Sequence, residues 1–201
     1  MPTNYKACAA LPSDLQRKLT QIYYNAESHV VHFDMHLPNG GSFVNDQIWP
    51  ETHDDYQWIL DNILPYYGIE YDDVAVLDYS NSGGGDRDAF SGGPVPDYEK
   101  NSINFTRFTP ERASINTHHA GVPHVLCKLN IPITGMEQAS VYWTETDEGY
   151  NYVNKTACLL NVQELHTVMG LNELTEERTF LSIALMTPFA DSIDSSKVLS
   201  N

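Results

Sequence analysis

Two segments before residue 100 carry apolar residues at every third or fourth position, which predicts two amphipathic helices. The first helix is expected to begin at Ser13, whose hydroxyl can cap it, and to end near Asn25. The second is expected to cover Asp54–Tyr67 and to end at Gly68, because glycine accepts the left-handed backbone that follows many helices.

After residue 100 the pattern changes to short strand-like runs that are separated by turns. Antiparallel strands at such spacing are typical of a β-sandwich or barrel. These runs cover residues 103–109, 113–118, 125–133, 139–144, 157–161, 164–168 and 179–185, and two earlier ones cover 29–37 and 74–79. We therefore predict a mainly β fold with N-terminal helices that pack on the barrel.

We expect one domain over residues 1–201, because the chain length suits a single hydrophobic core. Residues 1–100 would supply helical and strand support, including a loop at 81–96 that is rich in Gly, Ser, Asp and Pro. Residues 103–187 would form the β core.

The chain is strongly acidic, with a net charge of −16 when histidines are neutral. This charge makes nucleic acid an unlikely partner, because phosphates would be repelled over most of the surface. The three cysteines are far apart and odd in number, so neither a disulfide framework nor a zinc finger is predicted. Cys127 and Cys158 lie in apolar runs and are expected to be reduced core residues.

Met1–Ala10 lacks the basic and apolar pattern of a secretory peptide, and no apolar run approaches the length of a membrane span. We therefore expect a cytoplasmic protein, in the host cytoplasm if the chain is viral, with no membrane partner. The oligomeric state stays open.

Two adjacent histidines, His118 and His119, stand between two predicted strands, and a third histidine, His166, lies several strands later. A lone arginine, Arg178, precedes the last strand. Imidazole is a common ligand of iron, and a guanidinium pairs with a carboxylate at two points. The sequence therefore predicts an iron site with an anchor for an anionic co-substrate.

Four segments between Asn104 and Leu185 together resemble the Fe(II)/2-oxoglutarate-dependent dioxygenases, in particular phage-type enzymes and the aspartyl/asparaginyl β-hydroxylases. The segments are 109–121, which contains Ser-Ile-x-x-His, then 128–133, 159–168 and 177–183. The resemblance implies a double-stranded β-helix, which is a jelly-roll or cupin-like barrel. It also implies that iron(II) binds to His166 and to His118 or His119, and that oxidation of 2-oxoglutarate drives hydroxylation of an unknown substrate.

The same resemblance implies how 2-oxoglutarate is held. Arg178 would pair with its far carboxylate, together with Ser182 or Lys128. Lys128 and Asn130 stand where the β-hydroxylases carry basic residues that help to hold 2-oxoglutarate. Because side chains alternate along a strand, Arg178 and Ser182 can point together into the barrel.

The family's usual metal-binding aspartate lies two residues after the first metal-binding histidine. That position holds Ala120 if the ligand is His118, and Gly121 if the ligand is His119, so the aspartate is absent. Three hypotheses follow from this substitution. The protein is a hydroxylase in which water completes the metal sphere, a halogenase in which chloride fills the position, or a non-catalytic jelly-roll that serves as a binding or phage structural protein. The substrate of an enzyme would be a small molecule or a protein or peptide.

Two alternatives concern other residues. His32, Asp34 and His36 would share one face of a strand and could form a separate metal site. Arg178 could instead be a surface residue that pairs with Glu176 or Glu177.

Overall fold

The computed structural model describes residues 4–36, 42–76, 102–111, 114–115, 124–153, 155–170 and 175–200. For residues 28, 31, 33–36, 42–44, 114–115 and 169–170 the structure describes the backbone alone. The described segments contain two α-helices and eleven β-strands, with short 3₁₀ turns between some of them.

Helix α1 covers Ser13–Asn25 and helix α2 covers His53–Tyr67, close to the predicted bounds. The helix begins at Ser13 as expected, but the predicted cap at Ser13 is wrong, because Ser13 is the first helical residue and not the N-cap residue. Pro12 occupies the N-cap position, and no described side chain caps it. Thr52 caps α2 by accepting a hydrogen bond from the Asp55 backbone N–H at 3.1 Å. Gly68 ends α2 with a φ of 69°, as the sequence predicts.

The structure contains strands that the hydrophobic pattern does not predict. They are β1 Tyr5–Cys8, β2 Val30–His36, β3 Ser42–Ile48, β4 Ile103–Phe108, β5 Ser114–Ile115, β6 Cys127–Thr134, β7 Ala139–Trp143, β8 Glu148–Asn151, β9 Ala157–Asn161, β10 His166–Gly170 and β11 Arg178–Leu185. Strands β1, β3 and β8 are not anticipated by the sequence pattern. In the predicted strand at 74–79, Val74 forms an isolated bridge with Leu185, while residues 77–79 and the predicted loop at 81–96 lie outside the described residues.

The described strands form two antiparallel sheets, and the chain crosses between them several times after β6. The large sheet has the order β1-β9-β6-β11-β4-β3-β2, and β5 joins it through β3. The small sheet has the order β10-β7-β8. This is the jelly-roll arrangement that the sequence predicts, in which two sheets face each other across a core.

The two faces of the large sheet contribute to two different hydrophobic clusters. Leu181 and Ile183 of β11 pack with Phe105 of β4 and with buried side chains of α1 and α2. Phe180 and Ala184 of β11 face the other way and pack with residues of the small sheet. We call the space between the two sheets the barrel interior. Because β11 alternates between the two clusters, each of its residues faces either the helices or the barrel interior.

Strand β3 forms a corner of the fold. Its second half pairs with β4 through Asp46, Gln47 and Ile48, whereas its first half pairs with β5. Strand β5 in turn approaches β10 of the small sheet, with Cα atoms within 8 Å. Strand β3 therefore pairs with β4 of the large sheet at one end and, at its other end, with β5, which lies near the small sheet.

Cys8, Cys127 and Cys158 are free and buried, which confirms the prediction for the last two. Burial raises the pKa of the Cys8 and Cys127 thiols to about 11, so both are protonated at neutral pH. No helix among the described residues is long and apolar enough to cross a membrane.

Candidate active site

Polar side chains line the part of the large sheet that faces the barrel interior. Arg178 and Ser182 lie on the same side of β11 as Phe180, and all three are buried. Ser182 is paired across the sheet with Asn104 of β4 and with Asn130 of β6. This row of polar residues is enclosed by an otherwise apolar cluster, which is unusual for a core that serves only packing.

Arg178 is the most buried charged residue of this face, with 3% of its surface exposed. Its guanidinium carbon lies 4.6 Å from the centre of the Phe108 ring and 5.4 Å from that of Tyr152. The buried Nε atom has no hydrogen-bond partner among the described residues. Burial lowers the pKa of Arg178 to about 10, and no described carboxylate offsets its charge.

These contacts exclude the surface ion pair between Arg178 and a neighbouring glutamate. Glu177 points to the opposite face of the sheet, where its carboxylate accepts hydrogen bonds from the Tyr23 hydroxyl and, at 2.9 Å, from the Thr179 hydroxyl. Arg107 lies 3.8 Å from the same carboxylate. Glu176 is exposed, whereas Arg178 is not.

Tyr152 connects Arg178 to Asn130. Its ring faces the guanidinium, and its hydroxyl accepts a hydrogen bond of 3.1 Å from the Asn130 amide nitrogen. The Asn130 carbonyl oxygen is buried and has no partner among the described residues. Burial raises the pKa of Tyr152, so its hydroxyl keeps its proton at neutral pH. The cluster therefore offers a cation and a hydroxyl to a single anionic group.

Lys128 also faces the barrel interior, but at the other end. Its neighbour across the sheet is Ala184, which lies six residues beyond Arg178 on β11 and hence about 20 Å along the strand. Burial lowers the pKa of Lys128, and no hydrogen bond or ion pair reaches it from the described residues. The four predicted co-substrate residues therefore share one face but are spread along its whole length.

His166 begins β10, opposite Trp143 of β7, and only 4% of its surface is exposed. Side chains that are directly opposite in an antiparallel pair point to the same side, so His166 faces the barrel interior together with Trp143. The ring nitrogen Nδ1 lies 2.8 Å from the Glu164 carbonyl oxygen and must donate to it. In the neutral ring, the Nε2 nitrogen then carries the lone pair that a metal ion requires.

His166 lies at the same end of the barrel interior as Lys128. The Trp143 ring is 6.2 Å from that of His166, and its indole N–H donates to the Asn161 carbonyl oxygen at 3.0 Å. Asn161 is paired with Cys127, which immediately precedes Lys128. His166 of the small sheet and Arg178 of the large sheet therefore lie towards opposite ends of the barrel interior.

His118, His119, Ala120 and Gly121 lie outside the described residues. The described strand β5 ends at Ile115, three residues before His118, and it runs beside β10. Among the described residues, no three His, Cys, Asp or Glu side chains are grouped as a metal site.

The sequence suggests that His32 could bind a metal ion, whereas in the structure its ring contacts the Asp46 carboxylate. Its Nδ1 atom lies 2.6 Å from Oδ1 of Asp46, a buried residue that also accepts hydrogen bonds from Arg107 at 3.0 and 3.2 Å. The side chains of Asp34 and His36 lie outside the described set. His124, which is close to His118 and His119 in sequence, is exposed, and its Nε2 atom is hydrogen-bonded to the Val76 carbonyl oxygen at 3.0 Å.

Tyr152 and Phe108 are interior residues that the sequence pattern alone does not single out. Tyr152 follows the end of β8, and its only signal is the alternation of Tyr150 and Tyr152. Phe108 closes β4, directly opposite Arg178. The contacts of both residues with the guanidinium depend on strand pairings that span long stretches of sequence.

No protein-family model matches the chain, and no curated protein sequence matches it. Among solved structures, the chain is similar to a viral collagen prolyl hydroxylase from Paramecium bursaria Chlorella virus-1, in the crystal structure of its 2-oxoglutarate complex. The TM-score is 0.45 and the sequence identity is 11%, over 90% of this chain and 95% of that chain. We therefore infer the function from the chemistry of the interior side chains.

Proposed function

We propose that the protein is an oxygenase that uses iron(II) and 2-oxoglutarate to hydroxylate a substrate. The observation that carries this proposal is the buried Arg178, whose charge no described carboxylate offsets. A cation in an apolar interior is costly unless an anion joins it. A chain with a net charge of −16 has many carboxylates, yet none of the described ones reaches this guanidinium.

The residues of the interior fit 2-oxoglutarate. Arg178 would take its far carboxylate in a two-point contact, and the Tyr152 hydroxyl and Ser182 offer further hydrogen bonds at the same face. Phe108 and Phe180 exclude water from this contact, which strengthens it. Lys128 stands at the other end, beside the keto acid end of a ligand that lies along the sheet or beside the substrate itself.

His166 fits an iron ligand, because the Glu164 carbonyl fixes its tautomer with the lone pair on Nε2. We propose that His118 or His119 supplies the second nitrogen, since the chain reaches them directly from β5, beside β10. When bound, iron(II) would supply dioxygen activation for C–H hydroxylation, with dioxygen as the oxidant and with 2-oxoglutarate, converted to succinate and carbon dioxide, as the source of the other two electrons. The chain's own residues then hold the co-substrate and keep bulk water out of the barrel.

The test is binding of the two cofactors without oxygen. Iron(II) with 2-oxoglutarate should give a weak metal-to-ligand absorption band in the visible range and should raise the melting temperature. A free ligand concentration of about 100 times Kd should add about 2.7 kcal/mol to the free energy of unfolding. A protein that shows neither the band nor the stabilisation is not this enzyme.

Two variants assign the roles. His166→Ala should abolish the band, because the metal loses a ligand. Arg178→Met should retain iron but weaken 2-oxoglutarate at least tenfold, because the far carboxylate loses its partner. His53→Ala, which alters an exposed histidine at the start of α2, is the matched control and should bind like the parent. If both site variants bind like the parent, the site lies elsewhere.

Chloride separates the two chemical outcomes. In a halogenase, chloride should perturb the iron spectrum and appear in the product, whereas a hydroxylase should be unaffected by chloride and should add oxygen. An iron-binding protein that consumes no 2-oxoglutarate with any substrate would support the non-catalytic alternative.

A further inference from the structure

The side-chain amide of Asn45 is buried, and neither its nitrogen nor its oxygen has a hydrogen-bond partner among the described residues. None of the residue's surface is exposed. Two residues further along β3, the Gln47 side-chain oxygen is also buried and unpaired within the described chain. Burying an unpaired amide costs a folded protein about 1–3 kcal/mol, so two such groups on one strand call for an explanation.

Both residues point towards the barrel interior. Gln47 is paired with Thr106 of β4, and Thr106 is paired with Phe180 of β11. All three side chains therefore lie on the interior face of the large sheet, as does Phe108 of β4. Asn45 lies two positions before Gln47 and shares its face. Asp46 lies between them and faces the helices, where it pairs with Arg107. The charges of this strand are therefore on the other side of the sheet from the two amides.

Asn45 and Arg178 occupy the same cross-strand row. Asp46 is paired with Arg107, so one step further along the register Asn45 is level with Phe108. Phe108 is itself paired with Arg178. The row thus runs from the guanidinium across the Phe108 ring to the unpaired amide. Asn45 also lies at the corner of the fold, between the residues of β3 that pair with β4 and those that pair with β5.

We propose that Asn45, together with Gln47, binds a neutral carboxamide or peptide group of the substrate. A side-chain amide presents one donor and one acceptor next to each other, and a second amide is its direct complement. A charged group does not fit, because the two amides carry no net charge and the nearest charges of β3 and β4 neutralise each other on the opposite face. The two ends of the row would then bind different molecules. Arg178 would bind the carboxylate of 2-oxoglutarate, and Asn45 would bind the amide of the substrate.

This inference deepens the proposed oxygenase function by naming the chemical class of its substrate, a peptide or another amide. It also predicts where that substrate lies relative to 2-oxoglutarate, since the Phe108 ring stands between the two subsites. The amide site can be tested without metal or 2-oxoglutarate, so its outcome is independent of that of the oxygenase proposal.

The experiment follows the side-chain NH₂ signal of Asn45 by ¹⁵N NMR, assigned by its loss in Asn45→Leu. Titration with N-acetylglycine methylamide should shift this signal saturably. N-acetylglycine methyl ester, which has the same shape but lacks the second amide N–H, should bind at least several times more weakly. The shifts at other interior residues should disappear in Asn45→Leu and weaken in Gln47→Leu. Equal shifts with amide and ester, or none, overturn the proposal.

Thermal stability supplies a second readout that needs no ligand. Because Asn45 has no described partner, Asn45→Leu should leave the melting temperature unchanged or raise it. Asn4 is the matched control, since its equally buried amide bonds to Thr146 at 2.8 Å and to Asn161 at 2.9 Å. Asn4→Leu should lower the melting temperature. If Asn45→Leu lowers it as much, internal solvent satisfies this amide and the subsite proposal fails. If iron and 2-oxoglutarate do not bind but the amide shift persists, only the oxygenase proposal fails.

Discussion

Arg178 and Arg107 lie on adjacent strands but in opposite electrostatic situations. Arg107 is hydrogen-bonded to the buried Asp46, whereas the Arg178 guanidinium lies against aromatic rings and has no described carboxylate partner. Removal of one partner from a buried ion pair destabilises a protein, whereas a buried charge without a partner already opposes folding. The contrast separates a residue that stabilises the fold from one that we assign to a ligand.

Replacing each arginine by methionine should therefore change stability in opposite directions. Arg178→Met removes an unpaired buried charge, so the free energy of unfolding of the ligand-free protein should rise by about 1 kcal/mol or more. Arg107→Met removes the arginine from the buried Asp46, which keeps its contact with His32, and should lower it by about 1–3 kcal/mol. Urea unfolding of both variants measures the difference. A loss of stability in Arg178→Met would mean that a carboxylate of the protein already pairs with this arginine.

Lys128 allows a similar test through pH. Burial lowers the pKa of its ammonium in the folded state, so the folded protein releases this proton before the unfolded chain does. The unfolded state then binds more protons, and stability rises with pH between the folded pKa and about 10.4, the value of free lysine. Lys128→Met should be more stable than the parent at pH 7, and the gap should narrow as pH rises. A gap that is constant with pH contradicts the assignment.

Single residues of the site were predictable where sequence spacing alone determines their position. Arg178 and Ser182 are four residues apart on one strand, so period two places them on the same face. Tyr152 and Asn45 were not predictable, because their neighbours come from strands that are distant in sequence. A polar residue in a strand looks the same in sequence whether it faces water or a closed interior.

At the scale of elements, the turn before β7 and the start of β11 fix each other. Gly135 has a φ of 63°, and a side chain there would collide with the Glu177 carbonyl oxygen and come within 3.1 Å of the Arg178 Cα atom. The Thr134 hydroxyl donates to the same carbonyl at 3.1 Å. On the other face, Tyr23 of α1 bonds to the Glu177 side chain. The position of Arg178 is thus determined by contacts of the residue before it.

Gly135→Ala should disturb both the fold and the anion site. The left-handed backbone and the collision with β11 should together cost about 2 kcal/mol or more of folding free energy. Affinity for 2-oxoglutarate should fall, because the start of β11 must move. Gly149→Ala is the control, since its φ is not positive and its nearest new contact is a Tyr142 side-chain carbon at 3.6 Å. Denaturant unfolding and co-substrate titration of the two variants check this prediction, and equal behaviour would contradict it.

The elements that the sequence predicts are those with apolar alternation or helical spacing, such as α2 and the strand at 157–161. Strand β3 escapes this pattern because Asn45, Asp46 and Gln47 are consecutive polar residues. Each is accommodated by the tertiary structure, Asp46 by an ion pair and the two amides by the barrel interior. A strand that carries polar groups on both faces has no hydrophobic period to detect.

At the scale of the whole molecule, buried tyrosines make the described fold sensitive to alkali. Burial raises the pKa of Tyr23 to about 12, and it raises the pKa values of Tyr67, Tyr150 and Tyr152 as well. Above about pH 10 the unfolded chain loses phenolic protons that the folded chain retains. The unfolded state then binds fewer protons, so stability falls as pH rises.

The free energy of unfolding should therefore decrease steeply above about pH 10, by up to about 1.4 kcal/mol per pH unit for each such tyrosine. Urea unfolding at several pH values between about 8 and 11 measures the slope. Tyr23→Phe should reduce the slope by removing one of these protons, in addition to its loss of the Glu177 hydrogen bond. A slope that is unchanged in Tyr23→Phe would show that this hydroxyl ionises as in free tyrosine.

The two cations of the barrel interior, which no described carboxylate neutralises, also have a kinetic consequence. A dianion that approaches a protein with a net charge of −16 is repelled at long range, and it meets Arg178 and Lys128 only after it enters the barrel. Dissolved salt screens the exterior over about 8–10 Å but has little effect on a buried contact. Capture of an anionic ligand should therefore become faster as ionic strength rises, while its release changes little, in contrast to proteins that attract their ligands from a distance.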